Sequence, residues 1–161
     1  MLKVTLDTNL LPADDLVASV PAERFEFAVV SVTDREMDGA SQLATPTDAP
    51  RIPETMVWGE SPWGSALWGD SKSSDCLERT LTVISEGSFP LAHQRAALTN
   101  GQRRQLRDAM IFCAHVREKR AVFVTNDKRG FIRKDRRAKL EEMFDTRILT
   151  RQEFLAEFGA K

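Results

Sequence analysis

Apolar residues along this chain come in short solid blocks separated by stretches with helical spacing. Leu2–Leu6 is a compact apolar block that predicts a buried strand, and Asp7-Thr8-Asn9 ends it. Leu10, Leu11, Leu16 and Val17 predict a helix to about Val20, with Pro12 in its first turn. Phe25–Val32 predicts a second strand. It runs into Thr33-Asp34-Arg35-Glu36, the T-x-x-E spacing that opens helices. Cys76–Ile84 reads as helical. Gln102–Lys119 is the longest helical pattern: Leu106, Ala109, Met110, Cys113 and Val116 share one face, Ile111 and Phe112 another, which predicts burial over much of its circumference. Ala121–Val124 predicts a third strand and Thr146–Leu149 a last one. Leu140 and Met143 suggest a helix between them. Thr150, with Glu153 three residues on, predicts the start of a final helix whose apolar face is Phe154, Leu155 and Phe158. Strands alternating with helices imply right-handed crossovers, hence an α/β fold with parallel strands covered by helices.

The pattern breaks between about 42 and 74. Pro46, Pro50, Pro53 and Pro62 stand among Gly, Ser and Thr, and Trp58-Gly59, Trp63-Gly64 and Trp68-Gly69 recur every five residues. That period fits neither a helix face nor a strand face. It predicts an irregular insertion presenting three indoles, with a packed lid or a dimer contact favoured over base stacking because large aromatics usually serve burial. The rest reads as a single domain over 1–161.

Composition narrows the class. A chain of 161 residues with 42% hydrophobic and 29% charged residues is an ordinary globular domain rather than a disordered one. No apolar run is long enough for a membrane span, and no signal-peptide core precedes the first strand, so the expected compartment is the cytoplasm. Cys76 and Cys113 are too few for a disulfide framework or a zinc site by themselves. The net charge of −1 hides an asymmetry: Gly101–Leu140 holds 13 Lys and Arg against 4 acids, a net of +9, while the remainder nets −10. A basic stretch of this kind points to nucleic acid, or else to a solvated helix face.

Four acids are placed by this reading at one edge of the sheet. Asp7 ends the first strand and Asp127 ends the third. Glu36 lies in the first turn of the helix leaving the second strand. Asp108 lies near the start of the long helix that must run antiparallel to the strand it feeds. In parallel α/β sheets ligands bind at the carboxyl ends of strands. Each acid also has a plain structural explanation: a turn at Asp7, a capping-box partner at Glu36, a first-turn acid at Asp108, turn chemistry at Asp127. Convergence of all four would create repulsion that a hard cation such as Mg²⁺ or Mn²⁺ relieves. With Arg103, Arg104, Arg107, Lys128 and Arg129 contacting phosphates, such a site suits phosphodiester hydrolysis by an ion-activated water. His115, about two turns beyond Asp108, is read as a packed histidine ahead of a phosphate ligand, and Cys113 as core.

Taken in order, L-D-T-N (Leu6–Asn9), S-V-T-D-R-E (Ser31–Glu36), R-D-A-M-I-F-C-A (Arg107–Ala114), V-T-N-D-K-R-G-F (Val124–Phe131) and the closing R-I-L-T-R-Q-E-F-L (Arg147–Leu155) resemble a PIN domain, a family of metal-dependent nucleases that includes the ribonuclease toxins of toxin–antitoxin pairs. The resemblance spans Val4–Phe158 apart from the middle. It implies a three-layer α/β/α sandwich around four to five parallel strands, Mg²⁺ or Mn²⁺ held by Asp7, Glu36, Asp108 and Asp127, support from Thr125 and Asn9, and RNA ahead of DNA as substrate. It departs from the pattern at Gly130, where many members carry an acid before the closing aromatic. Further readings are a PIN-like module that binds nucleic acid or protein without cutting, a toxin held by an antitoxin, and a homodimer. A phosphatase with Asp7 as nucleophile fits less well, because Asn9 stands where that chemistry wants a second acid.

Overall fold

A computed structural model describes residues 1–38, 48–64, 66–133 and 135–159. Five strands, β1 (Leu2–Leu6), β2 (Phe25–Val30), β3 (Arg51–Ile52), β4 (Val122–Val124) and β5 (Arg147–Leu149), form one sheet in the order β3-β2-β1-β4-β5. Every neighbouring pair is parallel, with Val4 beside both Phe27 and Val122. The helices are α1 (Asp14–Ala18), α2 (Val32–Asp38), α3 (Ser71–Ile84), α4 (Asn100–Arg117), α5 (Arg136–Phe144) and α6 (Arg151–Phe158).

Alternation along the strands divides the core into two layers. Ala28, Val30, Phe123 and Ile148 face Leu81, Met110, Phe112 and Leu140 of α3, α4 and α5. Val29, Val122, Val124 and Leu149 face Leu16 of α1 and Phe154 of α6 on the opposite side. Both sheet faces are therefore covered, as is usual for an all-parallel sheet. The architecture is a three-layer α/β/α sandwich.

Several boundaries differ from the sequence reading. The first predicted helix is split into a tight turn over Thr8–Leu10 and the short α1. Pro12 explains this, since the residue before a proline avoids the helical region and Leu11 is extended at φ −84°, ψ 143°. The second strand stops at Val30, so Thr33 lies inside α2 and does not cap it. The insertion contributes a strand, β3, which extends the sheet beside β2. Helix α3 begins at Ser71, capped by Asp70, whose carboxylate accepts from the Ser73 N–H at 2.8 Å. Helix α4 begins two residues early because Thr99 and Gln102 form a reciprocal capping box. Of the insertion, residues 42–47 and 65 lie outside the described residues.

Candidate active site

Strand order fixes where a site can form. The chain winds from β1 outward through β2 to β3, then returns to the other flank of β1 through β4 and β5. The reversal falls between β1 and β4, and the crevice beyond their carboxyl ends is where this class of sheet receives ligands. Asp7 follows β1 and Asp127 lies just past β4. Glu36 is on α2, directly after β2, and Asp108 is in the N-terminal half of α4. All four line one cleft of about 810 Å³, together with Thr8, Asn9 and Arg104.

The two loops at the switch point are stitched together by polar side chains. Thr125 donates to Asp7 Oδ2 at 2.6 Å, and Asn9 Nδ2 donates to the same oxygen at 2.8 Å. The Thr8 N–H donates to Asp7 Oδ1 at 2.8 Å. Asn9 also donates to Thr125 Oγ1 at 3.1 Å and accepts from the Asn126 N–H at 3.0 Å. Thr125 Oγ1 in turn accepts the Asp127 N–H at 3.0 Å. Thr125 and Asn9 thus tie the loop after β1 to the loop after β4. Asp127 Oδ1 accepts the N–H groups of Arg129 and Gly130 at 2.9 and 3.0 Å.

Asp7 is buried, and burial pushes its carboxyl up to about 7; hydrogen bonds from Thr125 and Thr8 oppose the shift, while the charges of Glu36 and Asp127 add to it. Burial also raises Asp108 well above the usual carboxylate range, reinforced by Asp7, Glu36 and Asp127. Glu36 is raised by burial, against a hydrogen bond from Thr8 and the field of Arg107. Three of the four acids are therefore biased toward their protonated form. None of the four makes an ion pair with any described residue, and Asp108 accepts no hydrogen bond from one.

The donor set is entirely hard oxygen, the type that suits Mg²⁺ or Mn²⁺. Among the described residues no three acidic, histidine or cysteine side chains stand close enough to hold one ion together. The four acids line the cleft without closing into a cage. Mg²⁺ is commonly held by one or two carboxylates, with water and substrate phosphate completing its shell, so the arrangement fits such an ion.

Other sequence candidates separate from the cleft. Arg104, Lys128 and Arg129 line it. Arg103 and Arg107 instead reach Glu60 of the insertion, at 3.3 and 2.5 Å. His115 is fully buried between Thr5 Oγ1 (2.9 Å) and Thr146 Oγ1 (2.6 Å), and burial lowers its pKa to about 3. It is a neutral core group far down α4, as the packed reading had it. The Cys113 thiol packs against that of Cys76, joining α3 to α4.

Sequence reasoning missed Thr8 and Thr33, whose hydroxyls meet at 3.1 Å and bring α2 against the first loop. Thr33 is fully buried, so the T-x-x-E spacing that suggested a cap marks a packing contact, and Glu36 is freed to face the cleft. It also missed Glu54 and Glu60, the acids that anchor the insertion. Their partners lie far away in sequence, and no local pattern announces them. Compared with known proteins, the chain matches no family model, no curated protein and no solved structure.

Proposed function

We propose that this protein is a Mg²⁺- or Mn²⁺-dependent nuclease that hydrolyses phosphodiester bonds, with RNA as the preferred substrate. The observation carrying this reading is that Asp7, Glu36, Asp108 and Asp127 line one cleft at the switch point without an ion pair to any described residue. The resemblance of the flanking motifs to PIN domains supports it.

A bound divalent ion would activate water and stabilise the charge that develops on the phosphate. The residues do the rest. Asp7, Asp108 and Asp127 would supply oxygen ligands, one or two of them directly and the rest through water, with Asp7 held in place by Thr125 and Asn9. Glu36, held by Thr8, would share the ion or accept a proton from the attacking water. Arg104, Lys128 and Arg129 edge the same cleft and meet the substrate's phosphates.

The test is cleavage of mixed single-stranded RNA and DNA with Mn²⁺ and with EDTA, beside Asp7→Ala and Asp127→Asn. Each substitution should reduce metal-dependent cleavage roughly 100-fold or more while the protein stays folded. Full metal-dependent activity in Asp127→Asn overturns the assignment. Absence of cleavage by the wild type under all conditions favours a PIN-like binding module instead.

A further inference from the structure

The three tryptophans are largely exposed. Trp58, Trp63 and Trp68 are 82%, 74% and 79% exposed, so neither a lid over the core nor a buried staple describes them. They are nonetheless ordered relative to one another. Trp58 meets Trp63 edge to face at 5.8 Å, and Trp63 meets Trp68 at 6.5 Å, giving a row of largely exposed indoles.

The row stands on a rigid base. Glu54, fully buried, receives both terminal nitrogens of Arg35 and the hydroxyls of Ser31 (3.2 Å) and Ser61 (3.0 Å). Backbone bonds Met56 N–H to Leu67 O (2.7 Å) and Leu67 N–H to Glu54 O (2.8 Å) close the loop behind the rings. Glu60, between Trp58 and Trp63, is clasped by Arg103 and Arg107 of α4. Those arginines lie one helix position before Arg104 and Asp108, which face the acidic cleft, so row and cleft share one helix. A cationic surplus flanks one end: Lys72, Arg117 and Lys119, against Asp70, line the pocket beside Trp68, while the notch of about 410 Å³ between Trp58 and Trp63 holds Glu60 and Arg35, which is already paired with Glu54.

We infer that the Trp58–Trp63–Trp68 row is a stacking platform for unpaired bases of a single-stranded nucleic acid whose backbone then passes along α4 into the acidic cleft. The inference rests on the nuclease reading for the strand's destination. Every base has a π-face, so exposed indoles capture bases without regard to sequence, and a basic flank tracks the phosphates. The cationic surplus beside Trp68 matches a polyanion, whereas pairing of that edge with a second copy of itself would bring like charges together.

The chain contains three tryptophans and no tyrosine, so its intrinsic emission reports on this row alone. The experiment titrates the full protein in EDTA with a short oligouridylate, with the same ribose-phosphate chain lacking bases, and with duplex RNA. Saturable quenching by oligouridylate alone is expected, with binding weakened roughly tenfold or more in Trp63→Ala and largely retained in Trp63→Phe. Equal binding by the base-free chain, or unaltered affinity in Trp63→Ala, overturns the proposal. So does emission that changes with protein concentration alone, together with a dimer in sedimentation that Trp63→Ala abolishes, which assigns the row to a second copy. Quenching without cleavage under Mn²⁺ removes only the nuclease reading, and cleavage without quenching removes only the platform.

Discussion

Glu54 and Asp7 are both buried carboxylates, and only Glu54 faces a guanidinium. Arg35 binds Glu54 through both terminal nitrogens, and nearby Glu60 is held by Arg103 and Arg107. Asp7 receives only neutral donors, from Thr125, Asn9 and the Thr8 backbone, while Glu36 and Asp127 add negative charge around it. Where an acid anchors the insertion, the fold supplies a matching cation. Where acids gather at the switch point, it supplies orientation and leaves the charge standing. Removing charge should therefore have opposite effects in the two regions.

The largest effect is expected at the insertion. Arg35→Met keeps most of the apolar stem but strands the Glu54 charge in the interior. Breaking a buried pair from one side costs about 3–5 kcal/mol. Denaturant unfolding should show a loss of that size, and Arg35→Met with Glu54→Met should recover much of it. A loss below about 1 kcal/mol would mean that water reaches Glu54 and that the contrast with Asp7 is false.

Asp7→Asn should do the reverse. The Asp7 carboxyl titrates at about 7 in the folded protein against 3.8 as its ordinary value. Because the folded value is the higher one, the native state binds the extra proton between those limits. The stability linked to it is complete below about 3.8 and is lost as pH rises through about 7. Asparagine resembles the protonated form at every pH. Without divalent metal, the variant should thus match the wild type in acid and exceed it above neutrality by on the order of 2–4 kcal/mol, read from unfolding curves across pH. A constant difference at all pH values would show that Asp7 is not under this strain.

Metal should remove that strain by another route. At a concentration of about 100 times its Kd, Mn²⁺ should stabilise the wild type by about 2–3 kcal/mol, seen as a rise in melting temperature. Asp108→Asn should lose most of the rise. Mg²⁺ and Mn²⁺ that leave both melting curves unchanged would sink the metal assignment independently of any cleavage assay.

The contrast also marks how far the sequence could be read. The acidic cleft was legible because parallel α/β topology sends every strand end to one edge, so that Asp7 and Asp127 meet without any direct pattern linking them. Thr125 and Asn9 were named only through the resemblance of the motifs around them. The insertion was not. β3 has two residues, too few to show a period, and its register comes from pairing with Val29 and Val30. The Arg35–Glu54 pair spans 19 residues, and Arg107–Glu60 spans 47. Such contacts depend on where the tertiary fold places each element. The exposure of the three indoles went against the general rule that tryptophan seeks burial, and composition alone could not show it.

Gly130 offers the finest test, because it acts on one carboxylate without altering any charge. A Cβ built there would run into the Asp127 carboxylate, while the glycine's own backbone does not require positive φ. Gly130→Ala should therefore leave the main chain unstrained and push the Asp127 side chain aside. That movement removes the bonds from the Arg129 and Gly130 N–H groups and costs about 1 kcal/mol. If the cost runs through Asp127, Gly130→Ala should be nearly silent in an Asp127→Ala background, which lacks the carboxylate that the new Cβ would meet, and a double-mutant cycle will show the coupling. Strict additivity would place the cost elsewhere in the Lys128–Ile132 turn. The same displacement should also weaken Mn²⁺ binding if Asp127 is a ligand, linking the turn to the cleft through one side chain. The position at which the sequence departs from the PIN pattern would then be the one that keeps Asp127 where it stands, since any larger residue there competes with it for the same space.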